Sequence, residues 1–160
     1  MKAINTRLIL MNFLEFAVWG AYLTSMGNFL ASAGFAESIW LFYAMQGIVS
    51  IFMPALMGIV ADRWIPAQRL LGLCHLFAGI FMVAAGLYGL QENPSFGLVF
   101  SMYALSVAFF MPTIALANTV AYNALGKAGF DPVSAFPPIR VFGTIGFIVS
   151  MLATNWVKIS

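Results

Sequence analysis

The sequence contains very little charge. Only 8% of the 160 residues are charged, whereas 62% are hydrophobic and the mean hydropathy is +0.97. A soluble globular domain carries roughly a quarter charged residues and could not bury this much apolar surface. The composition therefore excludes a soluble domain and predicts an all-α integral membrane protein. The net charge of +2 comes from scattered basic residues, which argues against nucleic acid as a partner.

Cysteine and histidine are nearly absent. A single cysteine, Cys74, excludes a disulfide within the chain, and the single histidine, His75, forms no metal-ligand pattern with it. No nucleophile and base stand at a catalytic spacing. We therefore expect neither a metal nor another cofactor, and we do not expect an enzyme.

Long apolar runs are the main feature of the sequence. A membrane span needs about 20 mostly apolar residues, and five stretches meet or approach that length. They cover residues 8–30, 39–61, 70–90, 96–125 and 136–157. The first is too long for a signal peptide and is interrupted by Glu15, so we expect it to be retained as a helix. Residues 1–160 are thus predicted to form one transmembrane bundle, which we expect to be part of a longer chain.

The basic residues predict the orientation of this bundle. Five lie on one side of the predicted spans and one on the other; the five are Lys2, Arg7, Arg63, Arg69 and Lys127, and the one is Lys158. Because cytoplasmic loops carry the excess of lysine and arginine, the N-terminus is predicted to be cytoplasmic.

Arg140 lies just inside the fifth predicted span. An ionisable side chain there costs several kcal/mol unless it faces a partner or a watery cavity, so it indicates a functional site. On a helix, Arg140 shares one face with Thr144 and Phe147. The adjacent face carries small residues that favour close helix packing; they are Gly143, Gly146 and Ser150. This layout is typical of a helix that lines a substrate cavity.

Glu15 is the only carboxylate inside a predicted span. It is a candidate proton-binding group, and a structural ion pair with Arg140 explains it equally well. Trp19 is predicted either to line the cavity or to pack. The mid-span amides Asn118 and Gln46 are predicted either to face the cavity or to bond between helices.

Several sequence blocks resemble one family. Gly58, Asp62 and Arg63 match the GxxxD(R/K) signature of the loop between helices two and three in the major facilitator superfamily. FLEFAVWGAYL (13–23), FMPALMGIVADRW (52–64), MPTIALANT (111–119) and FPPIRVFGTIGFI (136–148) resemble the nucleoside:H+ symporter family of that superfamily. The resemblance covers nearly the whole chain. It implies most of the N-terminal bundle of a twelve-helix transporter, whose fifth helix contacts the nucleoside through Arg140, Thr144 and Phe147.

The expected function is proton-coupled nucleoside uptake across the bacterial inner membrane. The implied partners are a nucleoside, protons, the lipid bilayer and the C-terminal half of the same transporter. Two alternatives stay open at this point. One is a sugar or drug transporter on the same fold, and the other is a small helical membrane scaffold that transports nothing.

Overall fold

The computed structural model describes residues 2–159, and the side chains of residues 4–157. The charge count above also uses Lys2 and Lys158, whose side chains lie outside this range. Five α-helices follow one another: α1 (Lys2–Ser32), α2 (Ile39–Arg63), α3 (Ala67–Gly89), α4 (Phe96–Lys127) and α5 (Pro132–Ile159). A 3-10 turn, Ala36–Ser38, precedes α2, and no strand occurs within the described range.

All five helices are long and apolar enough to cross a membrane. Large apolar side chains stand exposed along them, for example Ile51 on α2 and Val83 on α3. In water such a surface would be unfavourable, whereas in a bilayer it faces lipid or another bundle. The predicted all-α membrane architecture is confirmed.

Glycine ends two of the helices in the same way. Gly34 follows α1 and Gly129 follows α4, and both have a positive φ, of 86° and 80°. After α4, the Phe130 amide bonds the Leu125 carbonyl and the Gly129 amide bonds the Gly126 carbonyl, each at 3.0 Å. These are the two bonds of a Schellman motif, which satisfies carbonyls at a helix end and needs a left-handed residue.

α5 begins earlier than predicted. The Asp131 carboxylate accepts hydrogen bonds from the amides of Val133 and Ser134, both at 3.2 Å, and so caps a helix that starts at Pro132. The predicted span 136–157 would place Pro137 and Pro138 in its first turn, and that placement was wrong, since both lie inside the helix. Each lacks an amide N–H, so the carbonyls four residues earlier lose their usual helical donor.

The chain divides into two compact units. The first unit comprises residues 1–26 and 117–160, which are the first part of α1, the end of α4 and α5. Its core is a cluster of five buried side chains: Leu8, Ala121, Leu125, Phe136 and Ile139. Because lipid is as apolar as these side chains, close van der Waals contact among them stabilises the packing of this unit.

The second unit comprises residues 27–116. Phe42 on α2 is fully buried, and its ring centroid lies 5.2 Å from that of Phe100 and 5.0 Å from that of Tyr103, both on α4. The Ser106 hydroxyl donates a hydrogen bond of 2.7 Å to the Ala78 carbonyl and so joins α4 to α3. Aromatic packing and interhelical polar bonds stabilise the association of these three helices.

Candidate functional site

Glycines in the first unit bring α1 and α5 into backbone contact. A Cβ added at Gly146 would overlap the carbonyl of Phe13. A Cβ at Gly20 would lie 2.5 Å from both the Phe147 carbonyl oxygen and the Ser150 hydroxyl oxygen. Both helices therefore contribute a glycine to the contact, in the manner of close-packed membrane helices. The predicted packing face of α5 is confirmed.

Arg140 projects from this contact onto an aromatic ring of α1. Its guanidinium carbon lies 3.8 Å from the centroid of the Phe16 ring, which is itself 5% exposed. A Cβ at Gly143 would lie 2.7 Å from both the Phe16 ring and an Arg140 nitrogen. Gly143 therefore provides the space that the two side chains share. A cation this close to a ring face is attracted by the ring quadrupole.

Aromatic contacts continue from Phe16 along the face. The Phe16 and Trp19 ring centroids are 5.9 Å apart, and the Trp19 and Phe147 centroids are 5.7 Å apart with the rings nearly perpendicular. Arg140 and Phe147 are half-buried, and Thr144 is exposed. The structure thus connects Arg140 to Phe147 through Phe16 and Trp19, and it leaves the Thr144 hydroxyl accessible on the same helix.

Buried polar groups accumulate on α1 beside this aromatic series. Glu15 is 3% exposed and Asn12 is fully buried. The Asn12 side-chain amide donates a 2.9 Å hydrogen bond to the Leu8 carbonyl, so its side-chain oxygen points away from that turn. The side-chain oxygens of Asn12 and Asn118 and the indole nitrogen of Trp19 are buried with no hydrogen-bond partner among the described residues. Buried polar atoms are normally paired, so these atoms indicate a place for water, a proton carrier or a ligand.

Helical spacing relates three of these polar groups to the core cluster of the first unit. Asn12 and Glu15 share a face of α1 with Leu8, and Asn118 shares a face of α4 with Ala121. Leu8 and Ala121 belong to the same core cluster, to which α1 and α4 therefore both contribute. Glu15 and Asn118, both selected from the sequence, lie on the helix faces that carry these two cluster residues.

The remaining predicted residues belong to the second unit. The Tyr103 hydroxyl lies 3.4 Å from the Gln46 side-chain oxygen and donates a long hydrogen bond to it. Asp62 and Arg63 are exposed at the end of α2. A Cβ at Gly58 would meet no atom of another described segment within 4 Å, so Gly58 makes no close helix contact within the described residues.

Sequence reasoning missed Phe16 and Asn12. Phenylalanine is abundant in this chain, with 16 residues, so Phe16 does not stand out by its residue type. The available signal was spacing, since position 12 lies one turn before Phe16, and Gly20 lies one turn after it. Only the partner helix, however, identifies the guanidinium that Phe16 contacts.

The chain is similar to known nucleoside transporters. The family model for nucleoside H+ symporters matches residues 1–160. The xanthosine permease of Escherichia coli (strain K12) is 42% identical over 96% of this chain, and the nucleoside permease NupG of the same organism is 38% identical over 92%. These matches cover 36% and 35% of the relatives, so the chain spans about a third of the length of the curated relatives it matches.

Solved structures show the same fold. A crystal structure of a variant of the nucleoside transporter NupG superimposes on 97% of this chain with a TM-score of 0.87 and 36% identity, and the match covers 38% of that structure. A second NupG crystal structure has a TM-score of 0.82 and 35% identity over the same share of this chain. With a family model that spans its full length and relatives this similar, the chain belongs to the nucleoside H+ symporter family.

Proposed function

We propose that the complete protein carries nucleosides inward across the inner membrane together with protons. The observation that carries the proposal is the face of α5 on which Arg140, Thr144 and Phe147 lie. The chain that presents this face belongs to the nucleoside H+ symporter family. The similarity to a xanthosine permease and to a nucleoside permease supports the substrate class. The transport would proceed by alternating access, with this bundle moving against a second bundle of the same transporter.

The chemistry of the α5 face suits a nucleoside. The guanidinium of Arg140 and the hydroxyl of Thr144 offer hydrogen bonds to ribose hydroxyls, and the Phe147 ring offers a stacking surface to the base. Arg140 is half-buried, so its hydrogen bonds would be partly shielded from water and stronger than at a free surface. These roles are proposals for the three residues.

Glu15 is the proposed proton-binding group. It is a buried carboxyl on a helix that is long and apolar enough to cross a membrane. An ionisable side chain inside a membrane span is rare and marks a candidate ion pathway, which suits a coupling site. The alternative is that Glu15 pairs with Arg140 and has a structural role.

Gly58, Asp62 and Arg63 are proposed to act in the conformational change. They end α2 where the sequence resembles the loop signature of the superfamily, and the two charged side chains are exposed. We further propose that Trp19 and Gln46 contribute to the cavity, Trp19 through its contact with Phe147.

Competition of labelled-uridine uptake tests the proposed function. The complete chain encoded by the reading frame is expressed in cells that lack nucleoside uptake, and unlabelled nucleosides and sugars compete. Nucleosides should abolish uptake, and a protonophore should reduce it strongly. Competition by sugars and not by uridine or adenosine would favour a sugar carrier of the same fold, and the absence of any uptake would contradict the proposal.

A further inference from the structure

We propose that Phe16 is a positioning residue for Arg140, which it holds at the surface of α5 with the guanidinium donors directed towards the substrate hydroxyls. The proposal rests on the proposed binding role of Arg140. It assigns to Phe16 on α1 a part in substrate recognition, and Phe16 is a residue that the sequence analysis did not select.

The first support is the geometry of the pair. The distance of 3.8 Å between the guanidinium carbon and the ring centroid places the cation on the face of the ring. Phe16 is almost completely buried and Arg140 is half-buried. Cation–π attraction is stronger at such partly desolvated sites than at exposed ones. The ring therefore restricts the long arginine side chain to one direction.

The second support is that the backbone of α5 makes room for the pair. A methyl group at Gly143 would lie 2.7 Å from both the Phe16 ring and an Arg140 nitrogen. Any larger residue at position 143 would have to displace one or both. Glycine at this position thus accommodates the cation and the ring together, one turn before Phe147.

The third support is that Phe16 is itself held in place. Trp19 lies beside it with ring centroids 5.9 Å apart and an interplanar angle of 53°. Trp19 in turn contacts Phe147 at 5.7 Å. The same aromatic series therefore positions both proposed substrate contacts of α5, the guanidinium of Arg140 and the ring of Phe147.

An aromatic partner has a chemical advantage over an acidic one at this position. A carboxylate that pairs with arginine occupies two of its five N–H donors. A ring on the guanidinium face leaves the donors free, because the N–H bonds lie in the guanidinium plane. Phe16 can therefore fix the position of Arg140 and still leave its hydrogen-bonding capacity for the substrate.

Chemical modification of Arg140 tests this without any nucleoside. The complete chain, purified in nanodiscs, is treated with phenylglyoxal, and the modified peptides are quantified by mass spectrometry with the exposed Arg63 as internal reference. Phe16→Leu removes the π face, and Phe16→Tyr keeps it. Phe42→Leu is the matched control, because it removes an equally buried ring whose described contacts lie in the second unit.

We expect Arg140 to be modified at least about threefold faster in Phe16→Leu than in the native protein. Phe16→Tyr and Phe42→Leu should keep the native rate. Gly143→Ala should also accelerate the reaction, whereas Gly126→Ala should not, since a Cβ there meets its nearest neighbour at 3.9 Å. A native rate in both Phe16→Leu and Gly143→Ala, or a rate in Phe16→Tyr equal to that in Phe16→Leu, would overturn the proposal.

Binding measurements on the same samples separate this proposal from the proposed function. Phe16→Leu should weaken uridine binding about three- to tenfold and 2′,3′-dideoxyuridine binding much less, because only uridine offers hydroxyls to Arg140. Equal weakening of both ligands would contradict a positioning role. If the native protein binds no nucleoside, the proposed function fails, while the modification rates still decide the relation of Phe16 to Arg140.

Discussion

Gly146 on α5 lies directly against the backbone carbonyl of Phe13 on α1, with no space for a side chain between them. The contact involves main-chain atoms on both sides, which cannot move aside as a side chain can. It fixes the distance between the helix that carries Arg140 and the helix that carries Phe16. The geometry of the proposed site therefore depends on a glycine that lies outside the proposed substrate face of α5.

Gly146→Ala should destabilise the protein. The added methyl group overlaps the Phe13 carbonyl, and overpacking of this kind costs about 1–3 kcal/mol. We expect a lower midpoint of thermal unfolding in detergent for the variant. Gly79→Ala is the matched control, because a Cβ there meets nothing within 4 Å and alanine favours a helix. Equal midpoints for Gly146→Ala and the native protein would show that α1 and α5 do not pack in this way.

The orientation can be tested with single cysteines. A cysteine at Ser38 or Asn93 should react with an impermeant thiol reagent in intact cells, and one at Gln68 should not, because the positive-inside rule places Arg63 and Arg69 in the cytoplasm. Cys74 is 2% exposed and should contribute little background. Labelling at position 68 with positions 38 and 93 silent would reverse the predicted orientation.

Arg140→Ala should weaken nucleoside binding at least about tenfold, since loss of a charge-assisted hydrogen bond costs about 1.5–3 kcal/mol. Arg140→Lys should not restore affinity, because an ammonium lacks the planar fork of donors. Thr144→Val removes one hydroxyl and should weaken nucleoside binding less than Arg140→Ala does. Binding is measured calorimetrically on protein that has reached the membrane.

A 2′,3′-dideoxynucleoside serves as the control ligand for Arg140. It lacks the ribose hydroxyls, so it should bind the native protein weakly and lose little more affinity in Arg140→Ala. Equal losses for the ribonucleoside and the dideoxynucleoside would mean that Arg140 acts through structure or charge balance, and not through contact with ribose.

Glu15→Gln should distinguish the two hypotheses for Glu15. If the carboxyl carries the proton, the amide should make uptake independent of the pH gradient while nucleoside binding stays intact. If Glu15 pairs with Arg140, the amide should lower the unfolding midpoint or the affinity, because it leaves a charge unmatched. Uptake is measured in liposomes with and without a gradient. Unchanged coupling together with an unchanged midpoint would exclude both roles.

Asp131 should make stability depend on acidic pH. Its hydrogen bonds with the Ser134 side chain and the Val133 amide hold the pKa of its carboxyl below the ordinary value of 3.8. Because the folded pKa is the lower one, the cap stabilises the protein fully above pH about 4 and is lost as the pH falls through the folded pKa. When the pH is lowered from 6 to 3, the midpoint of thermal unfolding should fall less for Asp131→Asn than for the native protein.

Glu92→Gln is the control for that measurement, since Glu92 is an exposed carboxylate outside the helices. For Glu92→Gln, the unfolding midpoint should fall with pH as it does for the native protein. The same decline in Asp131→Asn and in the native protein would show that the cap of α5 contributes nothing to the acid sensitivity.

The sequence alone was sufficient for the architecture, and it was the source of the proposed substrate face of α5, which stays a prediction. Five apolar runs predict five helices, because a bilayer allows a spanning segment only if its backbone bonds are internal. Arg140 was found because charge inside such a run is costly, and Thr144 and Phe147 follow from helical periodicity. The start of α5 was predicted four residues late, since the Asp131 cap is a local hydrogen-bond arrangement that hydropathy does not detect.

Tertiary structure decided which residues meet. Phe16 lies against the Arg140 guanidinium, and Gly143 leaves space for both side chains. The spacing of residues along one helix does not predict either contact. Those contacts join segments more than a hundred residues apart in the chain, and they depend on how closely two helices approach. Periodicity determines the face on which a side chain lies; only packing between helices determines what that face contacts.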